Sequence, residues 1–323
     1  MSKVFFLGAT GFVGGTVLRH ITTAYPTLQI TALARSPEKA SKITSAFPNI
    51  TTVIGDLDSV ELLETQAANA DIVIHTAICD EPGYAHAVIC GLEKRGDGYF
   101  IHTSGTALLF DEPSGNVLSE KIWDDIKDLK QLTSLPETAI HRPVEKVTTC
   151  IQYSRRAPPS VHTAIISPGK IYGFGTGPDK LTTFFKDALV AAGVGFKIGA
   201  GINTNSTVHI QDLARLYTII VGEALKPNGG AAQWDAEGYY FGVSDDEISV
   251  ADHVSLQTKK LAASGVLSSD KMEVWPAEKV VELHPFFPAV FGSNARARAS
   301  RGKALGWKTV EKRLEEWLSE EDA

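Results

Sequence analysis

The sequence predicts an α/β protein in which a doubly wound parallel sheet carries a smaller C-terminal α/β substrate domain. An apolar stretch at the N-terminus runs into a turn of regularly spaced glycines and then into a helical stretch. Short branched or aromatic runs then alternate with amphipathic stretches up to about residue 168, a pattern that favours a sheet covered on both faces. The length of 323 residues exceeds one typical domain and allows the second unit. These observations together define a Rossmann-type architecture.

The first strand and its glycine turn set this topology. Val4–Leu7 is apolar throughout, as in a central strand whose two faces are both covered. Gly8, Gly11 and Gly14 follow at a spacing of three, before a predicted helix over Thr16–Ile21. In this context Gly8 permits a tight turn, Gly11 lets a pyrophosphate approach the backbone, and Gly14 lets the helix pack closely. The helix start adds free N–H groups and a positive dipole end, so the stretch predicts a dinucleotide site, with a purely structural turn as the alternative.

The second predicted strand, Leu28–Ala34, ends at Arg35, where such folds meet the adenosine ribose. An acidic residue at this point accepts hydrogen bonds from the free 2′-hydroxyl of NAD, whereas a basic residue suits the 2′-phosphate of NADP. Arg35 is basic, and Ser36 and Lys39 could assist it. The residues therefore favour NADP, with NAD still open and with a solvated surface arginine as the alternative.

The rest of the chain continues the alternation and then changes character. Further predicted strands are Ile50–Ile54, Asp71–Ala77, Gly98–Ser104 and Val161–Ser167. Further predicted helices are Ser59–Ala70, Gly83–Arg95, His141–Arg156, Thr182–Ala192, Val208–Leu225 and a C-terminal amphipathic helix with Trp307, Leu314 and Trp317. Residues 107–140 are polar and predict an excursion over the surface. We place the dinucleotide-binding domain at residues 1–168, with 202–226 returning to it, and the substrate domain at 169–201 and 227–323.

Composition and charge argue against several classes of partner. The formal net charge is −7, and no basic cluster offsets it, which disfavours nucleic acid; the arginines of Arg296–Arg301 suit a solvated helix face. Cys79, Cys90 and Cys150 are odd in number and lack metal-type spacing, so neither a disulfide framework nor a metal site is expected.

The same reasoning extends to compartment and assembly. No apolar run reaches the length of a membrane span, and the first strand begins too early for a signal peptide. We therefore expect a cytoplasmic protein that acts on a small molecule away from membranes. The sequence leaves the oligomeric state open, with a dimer among the options.

Several stretches resemble, in the family's own order, the extended or atypical branch of the short-chain dehydrogenase/reductase superfamily. They are Gly8–Gly14, Gly55–Leu57, Val73–Ala77, His102–Ser104, Ile166–Gly169 with Ile171–Gly173, Val208–Ala214 and Leu305–Trp307. The family is similar to NAD(P)-dependent epimerases, dehydratases and reductases. It also includes regulators resembling the fungal NmrA proteins, which bind a dinucleotide without turnover.

The resemblance implies a row of cofactor contacts along one edge of the sheet. Asp56 would accept a hydrogen bond from the adenine amino group, and Leu57 would pack on the face of the adenine. Pro168 and Gly169 would approach the nicotinamide. Together with Arg35 and Lys39, the cofactor-binding set is Gly8, Thr10, Gly11, Phe12, Val13, Gly14, Asp56, Leu57, His75, Thr76, Ala77, Thr103, Lys146, Pro168, Gly169 and Ile171.

The catalytic set is where this sequence departs from the family. The family carries Tyr-x-x-x-Lys, in which a hydroxyl exchanges a proton with the substrate and an ammonium one turn away lowers the hydroxyl pKa and grips the ribose. Here Lys146 stands on the expected helix, but four residues earlier stands Arg142, with His141 beside it. An arginine stays protonated at any working pH and cannot act as the donor. His141, Thr106, Tyr172 or a bound water remain open as the proton donor, and packing is the alternative role for the tyrosine.

Two further positions belong to the same hypothesis. Ser104 or Thr106 could polarise the substrate, although one alignment puts Gly105 at that point. Cys79–Asp80 follows the fourth strand near the expected site, where a solvated loop is the alternative.

The function that these residues favour is that of an NADP-dependent oxidoreductase. Hydride would pass between the nicotinamide C4 and a small carbonyl, alcohol or imine substrate. The alternatives are a non-catalytic NADP(H)-binding regulator, which the missing tyrosine supports, and a redox-neutral epimerase or isomerase. The sequence does not name the substrate, and we expect the loops of residues 107–140 and 170–205 to select it.

Overall fold

The computed structural model describes residues 1–149, 161–176 and 180–320. The strands are β1 (Lys3–Leu7), β2 (Gln29–Ala34), β3 (Thr51–Ile54), β4 (Ile72–His75), β5 (Gly98–Thr103), β6 (Trp123–Asp124), β7 (Val161–Pro168), β8 (Lys170–Tyr172), β9 (Gly195–Ile198), β10 (Thr204–His209), β11 (Tyr239–Gly242), β12 (Glu247–Ser249), β13 (Met272–Trp275) and β14 (Ala297–Arg298). The helices are α1 (Phe12–Ala24), α2 (Pro37–Ala46), α3 (Val60–Ala68), α4 (Pro82–Arg95), α5 (Leu129–Leu132), α6 (Arg142–Thr149), α7 (Lys180–Ala192), α8 (Ile210–Ala224), α9 (Val250–Ala263), α10 (Ala277–Val280), α11 (Phe287–Gly292), α12 (Ser300–Ala304) and α13 (Leu314–Ser319).

A seven-stranded sheet in the order β11-β7-β5-β4-β1-β2-β3 forms the centre of the fold, and every neighbouring pair in it is parallel. The predicted fold class, a Rossmann-type doubly wound sheet, is therefore confirmed. The strand order reverses between β1 and β4, and in such sheets the ligand crevice lies at this switch point, beyond the carboxyl ends of the strands.

The apolar run that opens the chain is buried on both faces, as a central strand requires. Val4 and Phe6 point to one side, where they pack in the same core as helices α1 and α8. Phe5 and Leu7 point to the other side and pack with α3 and α4. Successive side chains of a strand alternate between faces, so four consecutive apolar residues are what a strand between two helical layers needs.

A second, smaller unit packs beyond the carboxyl edge of this sheet. Its own core is aromatic and lies between α7, β9, α9 and α11, with Phe185, Phe196 and Phe291 at the centre. Three short sheets accompany it, in the orders β12-β10-β8, β13-β9 and β14-β6. Helix α8 packs instead on the core of the large sheet.

The structure differs from the sequence prediction at several places in the fold. Strand β11 belongs to the large sheet, although the sequence-based boundary put it in the substrate domain; its aromatic residues are fully buried against β7 and show no alternation. Helix α2 was not predicted. Val208 and His209 lie on β10, and α8 begins only at Ile210. The predicted end of the helix at Arg156 lies outside the described residues.

The stretch of residues 107–140 is not a simple surface excursion, because its apolar side chains enter the core of the large sheet. Leu129 and Leu132 on α5 are buried there. Asp125 is fully buried and accepts backbone hydrogen bonds from Phe241 and Arg301. The expected solvated helix face at Arg296–Arg301 is likewise wrong, since β14 pairs with β6 and Arg301 is buried.

None of the helices in the described residues is both long enough and apolar enough to cross a lipid bilayer.

Candidate active site

The three glycines of the first turn serve two different purposes. Gly8 has φ of 96°, and a Cβ placed on it would lie 2.7 Å from the Thr76 backbone. A Cβ on Gly14 would lie 2.1 Å from the Gly8 carbonyl oxygen. Gly11 differs, because its Cβ would meet only that same oxygen, at 3.3 Å. Packing of strand on helix therefore requires Gly8 and Gly14, whereas Gly11 keeps a face of the turn clear.

The cleared face lies at the start of helix α1. Gly11 is the N-cap, no side chain caps the helix, and no acidic residue occupies its first turn. The first N–H groups of a helix have no partner within the helix, and the positive end of the helix dipole favours an anion. Phe12 and Val13 supply these first N–H groups. The turn thus fits the pyrophosphate of a dinucleotide.

The ends of β2 and β3 carry the residues expected at the adenosine. Arg35 is exposed directly after β2 and takes part in none of the ion pairs formed between described residues. Ser36 caps α2 by accepting a hydrogen bond from the Lys39 backbone N–H at 3.3 Å. Asp56 accepts hydrogen bonds from the Ser59 hydroxyl at 2.7 Å and from the Asp58 N–H at 3.1 Å. The Ser59 bond in particular holds the pKa of Asp56 below its ordinary value.

Three residues predicted to line the cofactor at the ends of β4 and β5 instead use their side chains internally. The Thr76 hydroxyl donates to the Leu7 carbonyl oxygen at 2.8 Å, and the Thr103 hydroxyl donates to the His75 carbonyl. His75 itself is fully buried, stacked 4.1 Å from the ring of Tyr84. The His75 side chain is thus covered by Tyr84 of helix α4, and a cofactor contact through the His75 backbone stays a prediction.

The buried histidines beneath this edge stay neutral. Burial lowers the pKa of His75 to about 3, and burial lowers the pKa of His102 well below its ordinary value. The two rings stack at 5.2 Å, and the Tyr84 hydroxyl lies 3.4 Å from His102 Nδ1. In acid, protonation of either ring would either place a positive charge in the core or require the ring to become exposed to water.

We expect the free energy of unfolding to fall as the pH drops below about 6.5. The unfolded chain binds a proton at each of these histidines near pH 6.5, whereas the folded protein does not until about pH 3 at His75. The stability that each neutral histidine contributes is thus present above pH 6.5 and lost below it. At pH 5 the free energy of unfolding is lower by about 1–2 kcal/mol per histidine. Urea unfolding at pH 7.5 and pH 5 measures this loss. His75→Phe should reduce it, and replacing the exposed His86 by Ala should not; equal losses in all three proteins would contradict the assignment.

The carboxyl ends of β4 and β5 form what we call the reaction edge, and helix α6 does not present the predicted lysine to it. The Lys146 side chain is 49% exposed and pairs with Glu137. Arg142 is buried and donates to the carbonyl oxygens of Thr133 and, at 3.3 Å, Leu135. The contact of Lys146 with a cofactor ribose stays a prediction that would require this side chain to leave Glu137.

The buried face of α6 carries a residue that the sequence prediction missed. Glu145 is fully buried, and its Oε1 accepts hydrogen bonds from the Ser104 hydroxyl at 2.5 Å and the Tyr239 hydroxyl at 2.9 Å. Burial raises the pKa of this carboxyl. Because the Ser104 hydrogen points to Glu145, this arrangement leaves Ser104 no hydrogen with which to polarise a substrate.

His141 stands at the reaction edge. Its Nδ1 lies 2.6 Å from Asp80 Oδ1 and 3.3 Å from Cys79 Sγ. Its Nε2 would lie 3.0 Å from a Cβ added to Gly105. The imidazole therefore fills the space beside residue 105, where a side chain would otherwise stand. Burial alone would lower the pKa of His141, but the hydrogen bonds to Asp80 and Cys79 outweigh burial and raise it to about 10.

A one-residue shift of register explains this geometry. His141 and Glu145 have the same spacing as the tyrosine and lysine of Tyr-x-x-x-Lys, and both point inward. Lys146 pairs with Glu137 instead, and the buried Arg142 lies 3.5 Å from Glu145 Oε2. The signal was present in the sequence as His-x-x-x-Glu. Aligning Lys146 with the lysine of the family motif instead places Arg142 at the position of the tyrosine.

The remaining predicted residues divide between the edge and the core. Thr106 is buried where a short 3₁₀ turn begins beside Gly105. Tyr172 is buried elsewhere: its hydroxyl donates to the Lys312 carbonyl at 2.8 Å, and its ring packs with Trp317 and Leu314. The structure thus gives Tyr172 the packing role, because the C-terminal helix α13 covers its face of β8.

The predicted nicotinamide contacts follow β7. Pro168 ends that strand, and a Cβ on Gly169 would lie 2.3 Å from the Ser206 carbonyl oxygen, so close packing against β10 requires this glycine. Ile171 is partly buried against the core of the large sheet. Ala77, just past β4, and Thr10, in the first turn, are both partly exposed at the same edge.

The fold and this edge define a dinucleotide-binding α/β protein, and comparison with known proteins gives the family. A family described as NAD(P)H-binding matches residues 8–128. A relative described as an oxidase, UcsJ of an Acremonium species, is 30% identical over 95% of this chain and 93% of its own length. The chain belongs to the short-chain dehydrogenase/reductase superfamily.

Solved structures agree on the fold. The dTDP-glucose 4,6-dehydratase of Bacillus anthracis, in complex with NAD, has a TM-score of 0.68 at 13% identity and covers 99% of this chain and 94% of its own. The yeast methylglyoxal/isovaleraldehyde reductase Gre2, complexed with NADPH, has a TM-score of 0.62 at 16% identity and covers 98% and 95%. At these identities the likeness concerns the fold alone.

Proposed function

We propose that this protein is an NADP(H)-dependent oxidoreductase that reduces a small carbonyl or imine, or oxidises the corresponding alcohol or amine. The observation that carries the proposal is the position of the His141 side chain. Its imidazole is held by Asp80 at 2.6 Å and occupies the space beside Gly105, at the end of β5. The description of the relative UcsJ as an oxidase supports an oxidoreductase.

The residues fit the cofactor, since the turn at Gly11 leaves room for a pyrophosphate and Arg35 is exposed where the 2′-phosphate would lie. Bound NADPH supplies the hydride from its nicotinamide C4. His141 supplies the proton: the Nδ1–H is engaged by the Asp80 carboxylate, and Nε2–H is left to protonate the substrate oxygen or nitrogen as the hydride arrives at carbon. With its pKa raised to about 10, His141 is protonated at neutral pH and ready to donate.

Asp80 acts through His141 as a positioning residue. A carboxylate at Nδ1 fixes the orientation of the ring and stabilises the imidazolium. The Asp80 side chain is 56% exposed, so solvent can return a proton to the pair after each turnover. The His141 imidazolium and the Asp80 carboxylate thus stand in place of the tyrosine hydroxyl and the lysine ammonium of the usual family pair.

The function is tested by following NADPH oxidation with a panel of aldehydes, ketones, 2-oxo acids and imines. The proposal expects turnover of at least one of these classes and no consumption of NADPH without a substrate.

Selection of NADP should depend on Arg35. A charge-assisted hydrogen bond to the 2′-phosphate is worth on the order of 1.5–3 kcal/mol, so Arg35→Ala should weaken NADP binding by about 10–100-fold. NAD binding should hardly change, because NAD carries a hydroxyl at that position. Fluorescence titration with both nucleotides measures the effect. Lys42→Ala, an exposed change on helix α2 just after Arg35, is the matched control, and equal losses for NADP and NAD in the Arg35 variant would exclude Arg35 as the selector.

One observation favours a second candidate, a dinucleotide-binding regulator without catalysis. The usual tyrosine is absent, and Lys146 pairs with Glu137 instead of reaching the reaction edge. A regulator would bind NADP(H) at the turn that contains Gly11 but would oxidise no NADPH with any substrate. Binding to a partner protein that changes with the NADP/NADPH ratio would support this candidate.

A further inference from the structure

Lys170 is a partly buried lysine whose ammonium packs on the aromatic core of the smaller unit. It is the first residue of β8, two residues after Pro168 ends β7. Its Nζ lies 4.3 Å from the ring centroid of Phe185 and 3.4 Å from the Val290 carbonyl oxygen. No ion pair formed within residues 1–149, 161–176 and 180–320 includes Lys170. Burial lowers the pKa of its ammonium to about 7.

Two polar side chains of helix α9 are buried in the smaller unit. The His253 ring lies 4.5 Å from the ring of Phe185 at a tilt of 32°, and both His253 and Gln257 are about nine-tenths buried or more. Gln257 lies one helical turn beyond His253, and among the described residues neither its side-chain nitrogen nor its oxygen has a hydrogen-bond partner. A buried amide without a partner costs on the order of 1–3 kcal/mol. The cluster of Lys170, His253 and Gln257 thus has unused capacity to bind a polar group.

Lys170 follows in sequence a strand that reaches the reaction edge. Strand β7 pairs with β5, and the Ser104 N–H donates to the Ile166 carbonyl at 2.8 Å. Lys170 follows this pairing by four residues, after the turn that is predicted to approach the nicotinamide. A substrate held with its carbonyl at His141 would extend from this edge toward the smaller unit.

We infer that Lys170 binds a carboxylate of the substrate, so that the protein acts on oxo acids or the corresponding hydroxy acids. This inference rests on the proposed function, because it concerns the same substrate. A single carboxylate suits a single ammonium, because it would be the counter-ion of Lys170 and would form a charge-assisted hydrogen bond with it. A dianionic phosphate fits less well, since the cluster contains no arginine and no second lysine.

The test compares 2-oxobutanoate with its methyl ester, which has the same carbonyl but no charge. The wild type should reduce the acid with a kcat/KM at least tenfold above that of the ester. Lys170→Met should lower kcat/KM for the acid by about 10–100-fold, mainly through KM, and leave the ester unchanged. Lys271→Met, at an exposed position, is the control and should change neither. The Met variant removes a buried charge from an apolar core, so its melting temperature should be equal or higher.

Calorimetric titration of 2-oxobutanoate into the NADP⁺-saturated protein separates this inference from the proposed function. Binding that is lost in Lys170→Met, without NADPH oxidation in any assay, would retain the carboxylate site and reject the oxidoreductase. Equal kcat/KM for acid and ester in the wild type would retain the oxidoreductase and overturn the carboxylate site. Failure of 2-oxobutanoate both to bind and to react would overturn the carboxylate site as well.

Discussion

Gly11→Val should abolish binding of NADP(H) while leaving the fold intact. Gly11 has φ of −81° and ψ of 167°, which a valine adopts without strain. Its Cβ would meet only the Gly8 carbonyl oxygen, at 3.3 Å, so the protein itself barely opposes the side chain. A branched side chain would, however, stand where the pyrophosphate approaches the first N–H groups of α1. We expect fluorescence titration to show no binding at NADPH concentrations that saturate the wild type.

The other glycines of the turn provide the contrast for this prediction. A Cβ at Gly14 would lie 2.1 Å from the Gly8 oxygen, and one at Gly8 would lie 2.7 Å from Thr76. Gly14→Ala should therefore lower the melting temperature sharply, whereas Gly11→Val should leave it close to that of the wild type. Wild-type affinity for NADPH in a folded Gly11→Val protein would show that the turn is structural only.

His141→Asn should lower kcat by about 10²–10⁴-fold with little change in cofactor affinity. Residue 141 has φ of 67°, a left-handed conformation that asparagine tolerates, so the backbone is expected to persist. Asparagine can reach Asp80 but has no proton to give to a substrate. Steady-state kinetics with the best carbonyl of the panel measures the loss, and full activity in the variant would exclude His141 as the donor.

The pH profile distinguishes proton donation from a structural role. Since the His141 pKa is raised to about 10, the wild-type reduction rate should stay level through neutral pH and fall as the pH rises through about 10. Asp80 is one cause of that raised pKa, so Asp80→Asn should move this fall toward neutral pH. An unchanged profile in Asp80→Asn would contradict the pairing of Asp80 with His141.

A substitution at Gly105 gives an independent check that the His141 imidazole occupies the space beside that residue. Gly105 is extended, with φ of −170°, so serine is compatible with its backbone. The serine Cβ would nevertheless lie 3.0 Å from His141 Nε2, and the imidazole would have to move. Gly105→Ser should therefore reduce kcat, and combining it with His141→Asn should add little further loss.

The fold could be predicted from the sequence because its signals are local and repeated. Val4–Leu7 with the glycine turn specifies strand, turn and helix within a few residues, and the later strands repeat the same apolar pattern. Strand β11 escaped prediction because Tyr239–Phe241 is too short to separate from an ordinary buried segment. Residues 107–140 were misjudged because their polar composition hides buried positions such as Asp125 and Leu129.

The site was less predictable because it depends on which face of one short helix points inward. That face is set by where α6 begins, and the left-handed backbone of His141 immediately before it leaves no trace in composition. A shift of one residue exchanges Arg142 and Lys146 for His141 and Glu145. The role of Gly105 was equally hidden, since a glycine that makes room for a side chain 36 positions later is visible only in three dimensions.

Transfer of deuterium from the cofactor tests the central claim most directly. NADPH labelled with deuterium at the transferable C4 position is incubated with the protein and the panel of aldehydes, ketones, oxo acids and imines, and the products are examined by mass spectrometry. The account predicts that at least one substrate gains one deuterium at the former carbonyl or imine carbon while an equal amount of NADP⁺ is formed, and that His141→Asn suppresses this transfer. No transfer to any member of the panel by a protein that binds NADPH, or conversion of a substrate without net formation of NADP⁺, would contradict it.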